Sequence, residues 1–264
     1  MPFLLGALVT AIFFQTSSLG TFFSSGTIAE VQAVSVEVNR TRIDALFQKL
    51  WKEREGQVWM SKEEAQMVVQ YLEPGQTMWE WGSGGSTTFF SHFVSEYYSV
   101  EHDEVWFNTV KEQLTADPVL SKKVSYQHVA SVPYERVWPG PPSIGANYAQ
   151  YIRAVPEDLK VDRFLVDGRA RPQCAIEALF HFRDPQDSIL FLHDFWDTVQ
   201  RGHYKLVLLL YEMIDTVLEE QSLVVLRPKP DWRERLARFA YPEWWVGATA
   251  DDSATPVQII RVLD

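Results

Sequence analysis

Four apolar runs in this chain each end in a tight polar cluster whose side chains could bind or react. Glu80 and the turn Gly82-Ser83-Gly84-Gly85-Ser86 follow the first, and Glu101-His102-Asp103 follow the second. Asp167-Gly168-Arg169 and His193-Asp194 follow the other two. Solvation alone does not explain ionisable groups collected at the ends of apolar segments. An unperturbed imidazole titrates near pH 6.5, which makes His193 the natural candidate for a general base. Asp167 would orient that base or bind a substrate. The planar fork of Arg169 suits a carboxylate. Competing structural readings are Asp194 as a helix N-cap and Arg169 with Arg171 as plain ion-pair partners of Asp167.

The glycine turn narrows the ligand. Small residues between a strand and a helix let backbone N–H groups approach a bound molecule. The dinucleotide fingerprint G-x-G-x-x-G would need glycine at position 87, which is Thr87, and a phosphate loop would need a lysine after its last glycine. Neither phosphate motif fits. The bland alternative is a glycine-rich turn flanked by solvated carboxylates.

The elements that must position these residues can be read from pattern. SKEEAQMVVQYL has Ser61 and Glu64 in capping-box spacing at the head of an amphipathic helix that Pro74-Gly75 ends. TMWEW (Thr77–Trp81), EYYSV (Glu96–Val100), KVSYQHV (Lys123–Val129), RFLV (Arg163–Val166) and SILFL (Ser188–Leu192) read as strands. STTFFSHFV, a helix capped by Asp103, a short helix in Tyr148–Val155 and a helix opened by Pro172 alternate with them. Pro133 to Ala146 reads as a loop. Tyr204 to Lys229 fits helix or strand, and DWRERLARFA a late helix. Five strand–helix alternations predict an α/β fold, a Rossmann-like doubly wound and mostly parallel sheet of about seven strands with helices on both faces. Ligands of such sheets bind beyond the carboxyl ends of the strands, where the four clusters stand.

One family pattern fits this order. An acid ending the first strand, then G-S-G-G, then a second acid 21 positions after the first resembles the class I S-adenosylmethionine-dependent methyltransferases. The segments VEHDEVW, VDGRARPQCA and LFLHDF are similar to a poorly characterised group of methyltransferase-like proteins, and the layout also to the glucuronoxylan O-methyltransferase type. The likeness covers about Glu73 to Lys229; the Pro133–Ala146 loop departs from it most. It implies S-adenosylmethionine as cofactor, with Glu80, Gly82, Ser83, Gly84 and Gly85 as its floor and Glu101 on the ribose hydroxyls; Ser86 closes the same turn, and His102 reads either as flanking the adenosine or as a solvated loop histidine. Joined with the strand-end groups Asp167, Arg169, His193 and Asp194 as candidate catalytic residues, it leads to the expectation of O-methylation of a small hydroxylated or sugar-derived acceptor. Asp167 and Asp194 also occupy the places where catechol-type O-methyltransferases hold Mg²⁺ or Mn²⁺, an ion that lowers the pKa of an acceptor hydroxyl. The rival readings are a nicotinamide-dependent oxidoreductase, which Thr87 disfavours, and a binding or scaffold protein without turnover.

Bulk properties set the outer bounds. The 264 residues are 46% hydrophobic and 22% charged, an ordinary globular composition. A net charge of -11 disfavours nucleic acid as a partner. The single cysteine, Cys174, excludes an intrachain disulfide framework and reads as packing. No charged side chain precedes Glu30, and Phe3–Phe14 is continuously apolar, the length of a signal-peptide core or a marginal membrane anchor. Residues 1–33 are therefore expected to be a secretory leader or anchor, with a cytoplasmic protein as the alternative. Residues 34–76 are expected to be a helical segment, 77–230 the cofactor-binding domain and 231–264 a C-terminal extension. His92, His128, His181 and His203 read as surface or core-edge residues. Trp79, Trp81 and Trp106 read as core, while Trp138 and Trp196 stand near strand-end loops.

Overall fold

The computed structural model describes residues 28–54, 57–131, 148–195, 202–218 and 222–238. Two compact units divide the chain, Met1–Arg42 and Ile43–Asp264. Helix α1 (Ile28–Glu53) begins within the stretch expected to be a leader or anchor, residues 1–33. Among the described residues no helix is long and apolar enough to cross a membrane, and the Phe3–Phe14 run lies outside them.

The larger unit is built on a seven-stranded sheet of order β3-β2-β1-β4-β5-β7-β6. Its strands are β1 (Thr77–Trp81), β2 (Glu96–Glu101), β3 (Val124–His128), β4 (Arg163–Val166), β5 (Ile189–His193), β6 (Tyr211–Val217) and β7 (Leu223–Pro228). The first five are mutually parallel, and β7 runs antiparallel between β5 and β6. Every residue of β1 and β5 is buried, as near-continuous apolar strands covered on both faces require. Alternate side chains feed two cores. Trp79, Trp81, Phe164, Val166, Leu190 and Leu192 pack on one face against α6 (Ala149–Ile152), α7 (Arg171–Ala178) and α8 (Trp232–Ala237). Met78, Leu165, Ile189 and Phe191 pack on the other against Ile43, Phe47 and Leu50 of α1 and against α2 (Lys62–Gln70) and α3 (Gly85–Phe90).

Local chemistry accounts for the helix starts. Ser61 and Glu64 form the expected capping box at α2: the Glu64 N–H donates to Ser61 Oγ at 3.2 Å, and the Ser61 N–H to Glu64 Oε2 at 2.8 Å. Asp103 caps α4 (Glu104–Ala116) by accepting from the Trp106 N–H at 2.8 Å. Pro172 opens α7, where its missing N–H costs nothing. Three readings change. STTFFSHFV is a six-residue helix followed by a 3-10 turn, Ser91–Phe93. The ambiguous Tyr204–Lys229 stretch divides into a 3-10 segment, Gly202–Leu209, and the β6–β7 hairpin, because β7 fills the slot beside β5. His181, read as a surface or core-edge residue, is fully buried beside Glu177, at 3.2 Å. Cys174 is buried packing, as expected. The Pro133–Ala146 loop, Trp138, Trp196 and His203 fall on residues or side chains outside the description.

Candidate functional site

A cleft of about 510 Å³ opens over the carboxyl ends of β1, β2, β4 and β5. Strand order reverses direction between β1 and β4, the switch point at which open α/β sheets bind ligands. All four polar clusters contribute to the wall: Gly82 to Ser86, Glu101 to Asp103, Asp167 to Arg169, and His193 with Asp194. Trp59, Met60, Trp106 and Arg171 complete it.

The glycines of the turn serve different ends. Gly82 has φ +90°, and a Cβ there would stand 2.4 Å from the Gly168 Cα, so two strand-end loops touch backbone to backbone. A Cβ on Gly85 would fall 1.9 Å from the Gln57 carbonyl oxygen, because residues 57–60 cross directly over the turn. Gly84 borders the cleft, and a Cβ there would make ordinary contact with Trp106 at 3.7 Å. Two of the three glycines therefore admit other parts of the chain, and the third borders the cleft beside Trp106.

The two acids have parted roles. Glu80, expected in the floor of the cleft, is fully buried beneath it. It accepts from Ser86 Oγ at 2.5 Å, Thr87 Oγ1 at 2.6 Å and Ser99 Oγ at 2.9 Å, tying the start of α3 to β2. Burial pushes its carboxyl up, against those three hydrogen bonds, to about 7. Glu101 does line the cleft. Its Oε2 accepts from the Ser83 N–H (2.9 Å) and Ser83 Oγ (3.1 Å), and its Oε1 from the His102 and Asp103 N–H groups (2.8 and 3.0 Å). Burial would raise this carboxyl, but the bonds from His102, Asp103 and Ser83 outweigh it and hold it below the ordinary range. Tyr126 Oη lies 2.6 Å from Ser83 Oγ. Because the Ser83 hydroxyl donates to Glu101, Tyr126 is the donor in that pair. Trp106, expected in the core, instead lines the cleft, its Nε1–H donating to the Ser83 carbonyl at 2.6 Å. It is met by the exposed Trp59 at a ring distance of 5.4 Å.

At the other end β4 and β5 are parallel neighbours, which brings Asp167, His193 and Asp194 together. His193 Nδ1 donates to Asp167 Oδ1 at 2.8 Å. Arg171 is buried among them. Its Nε donates to the Gly168 carbonyl (3.0 Å) and Nη1 to the His193 carbonyl (2.6 Å), while Nη2 lies 2.7 Å from Asp194 Oδ2 and 3.4 Å from Asp167 Oδ1. Asp194 adopts a left-handed φ of 57°, a conformation aspartate tolerates better than most residues, and this presents its carboxylate to Arg171. His193 is itself only 2% exposed. Burial alone would lower its pKa, but the charge and hydrogen bond of Asp167, with Glu64 and Asp194 nearby, raise it to about 10. A ring that favours its protonated form, with Nδ1 turned to Asp167, donates rather than accepts on that side.

One oxygen or nitrogen each from Asp167, His193 and Asp194 lies within 4.8 Å of the others, a spacing that by itself suits a metal. The guanidinium of Arg171, pinned on three sides, already supplies the positive charge between the two aspartates. These residues do not fit a divalent ion as well. Arg169 lines the same cleft wall. Residue types alone did not reveal Trp59, Met60 or Tyr126; Glu64 showed itself only as a cap, and Arg171 only as a structural partner of Asp167.

No protein-family model matches the chain, and no curated protein does. Solved structures that resemble it include a methyltransferase-like protein from Silicibacter pomeroyi DSS-3, 22% identical over 69% of this chain and 95% of that one, with a TM-score of 0.46. An S-adenosylmethionine-dependent O-methyltransferase from Thermotoga maritima is 14% identical over 69% and 71%, with a TM-score of 0.45. A ribosomal protein L11 methylase from Lactobacillus delbrueckii subsp. bulgaricus is 9% identical over 66% and 83%, with a TM-score of 0.42.

Proposed function

We propose that this chain is an S-adenosylmethionine-dependent methyltransferase acting on a hydroxyl of a small hydroxylated or sugar-derived acceptor. The observation that carries the reading is the pair Glu101 and Asp103 at the β2 end of the cleft, two carboxylates with no Arg or Lys partner among the described contacts, whereas Asp167 and Asp194 are paired with Arg171 and His193. Carboxylates attract a cationic ligand and repel a pyrophosphate. A sulfonium nucleoside with an ammonium group suits such a wall, and a nicotinamide dinucleotide does not. The cleft volume lies within the range of small-molecule sites, roughly 300–1,000 Å³.

When bound, the cofactor would supply an electrophilic methyl group on a sulfonium sulfur, for transfer to an acceptor oxygen. Glu101 and Ser83 would hold the ribose hydroxyls, with His102 and Asp103 on the adenosine side and Gly84 beside the amino-acid end. Arg169 would bind a carboxylate on the acceptor, as in a uronic acid. The acceptor's hydroxyl proton passes to the Asp167 carboxylate, whose Oδ1 is braced by His193 and Arg171. Charge balances: a cationic sulfonium, a neutral alcohol and a carboxylate become a neutral thioether, an ether and a carboxylic acid.

Calorimetric titration with S-adenosylhomocysteine beside NADH tests this. Micromolar binding of the first and none of the second is expected, with no change on adding a chelator. Binding of NADH alone would transfer the chain to the oxidoreductases, and binding of neither to the scaffold class.

A further inference from the structure

Glu64 belongs to α2, outside the cleft wall, and is fully buried. One carboxylate oxygen, Oε2, closes the capping box. The other, Oε1, has no hydrogen-bond partner and faces His193 Nε2 at 3.5 Å. That imidazole nitrogen is likewise buried and without a hydrogen-bond partner. Two polar atoms in a dry interior, opposite in character and directed at each other, cost stability apart and gain it together. At 3.5 Å they fall just short of a hydrogen bond, and closing the gap by about half an ångström makes one. On its other side the same ring donates Nδ1–H to Asp167.

We propose that Glu64 is a positioning residue of the active centre: it locks the His193 imidazole between two carboxylates, so that the ring donates on both sides and holds Asp167 toward the cleft. This rests on the methyltransferase reading for what Asp167 then does, but the lock itself does not. The helix preceding the sheet thereby becomes part of the centre, although none of the strand-end motifs includes it. The charges fit the arrangement. Glu64, Asp167 and Asp194 surround Arg171 and a doubly protonated His193, so each buried cation has a carboxylate within 3.5 Å. Separation in sequence, 129 positions from Glu64 to His193, hides the pair from any local pattern.

The test is proton–nitrogen NMR on the full chain labelled with ¹⁵N-histidine, without cofactor, the His193 signals being assigned by their loss in His193→Gln. Two protected ring N–H signals are expected from His193 in the native protein. Glu64→Gln keeps a residue that a capping box accepts but removes the charge. Its Nε2–H should exchange with water faster on the order of tenfold or more, the loss of a bond to a charged acceptor, while Nδ1–H toward Asp167 persists. Ser61→Ala weakens the same helix end without altering the oxygen that faces His193, and should leave both signals in place. A single protected N–H in the native ring, an unchanged His193 in Glu64→Gln, or the same loss in Ser61→Ala would each overturn the proposal. Titration of the native protein with S-adenosylhomocysteine separates the two levels: absence of binding would overturn the methyltransferase reading and leave the imidazole result standing.

Discussion

Glu80 shows how burial can reassign a residue whose type suggests ligand binding. Three hydroxyls reach it from the start of α3 and from β2, and its carboxyl titrates near 7 in the folded chain against 4.5 ordinarily. The native state therefore holds a proton that the unfolded chain has lost between those values. Stability from this group is complete below about pH 4.5 and is lost as pH rises through about 7. Glu80→Gln has no proton to lose and should flatten that part of the profile. Urea unfolding at pH 5 and pH 8 measures it: the variant should gain on the native protein at pH 8, and equal slopes would remove the assignment. Position in sequence marked Glu80 and Glu101 as a pair of strand-end acids. Which one reaches the cleft depends on the side chain's face of the sheet and on the hydroxyls waiting there.

At the scale of elements, the turn between β1 and α3 separates packing from binding. Gly82 combines a left-handed φ with a neighbouring backbone at 2.4 Å from any Cβ, so Gly82→Ala should destabilise by roughly 2–5 kcal/mol through strain and overpacking together. Gly84 is extended, with φ 171°, and has room for a methyl group. Gly84→Ala should leave stability within about 0.5 kcal/mol while weakening S-adenosylhomocysteine binding, since the methyl group enters the cleft. Urea melts and calorimetry on both variants check the contrast, and equal destabilisation by the two would refute it. The existence of this turn and of both capped helices was legible because capping and turn chemistry are local. The crossing of residues 57–60 over Gly85 was not, since nothing within those four residues encodes where they pass.

For the whole molecule, a ligand that binds only the folded state raises stability by mass action. S-adenosylhomocysteine at a hundred times its Kd should add about 2.7 kcal/mol, a rise in Tm of roughly 5–10 °C for a domain of this size. NADH at the same concentration should leave Tm unchanged, and a rise with NADH alone would count against the cleft as an S-adenosyl site. The net charge of -11 does not locate any of these groups; only the tertiary fold sets Glu101 and Asp103 on the cleft and pairs Asp167 and Asp194 with Arg171 and His193.

By itself the sequence determined the α/β class, the parallel run of β1 to β5 and the four polar strand ends, because apolar periodicity, caps and turns act over a few residues. Tertiary structure decided the rest: that β7 enters antiparallel beside β5, that Arg171 occupies the space between two aspartates, and that His193 is enclosed by Glu64 and Asp167. Protonation and exposure of a side chain depend on neighbours brought in from distant segments, and no local pattern of residues specifies them.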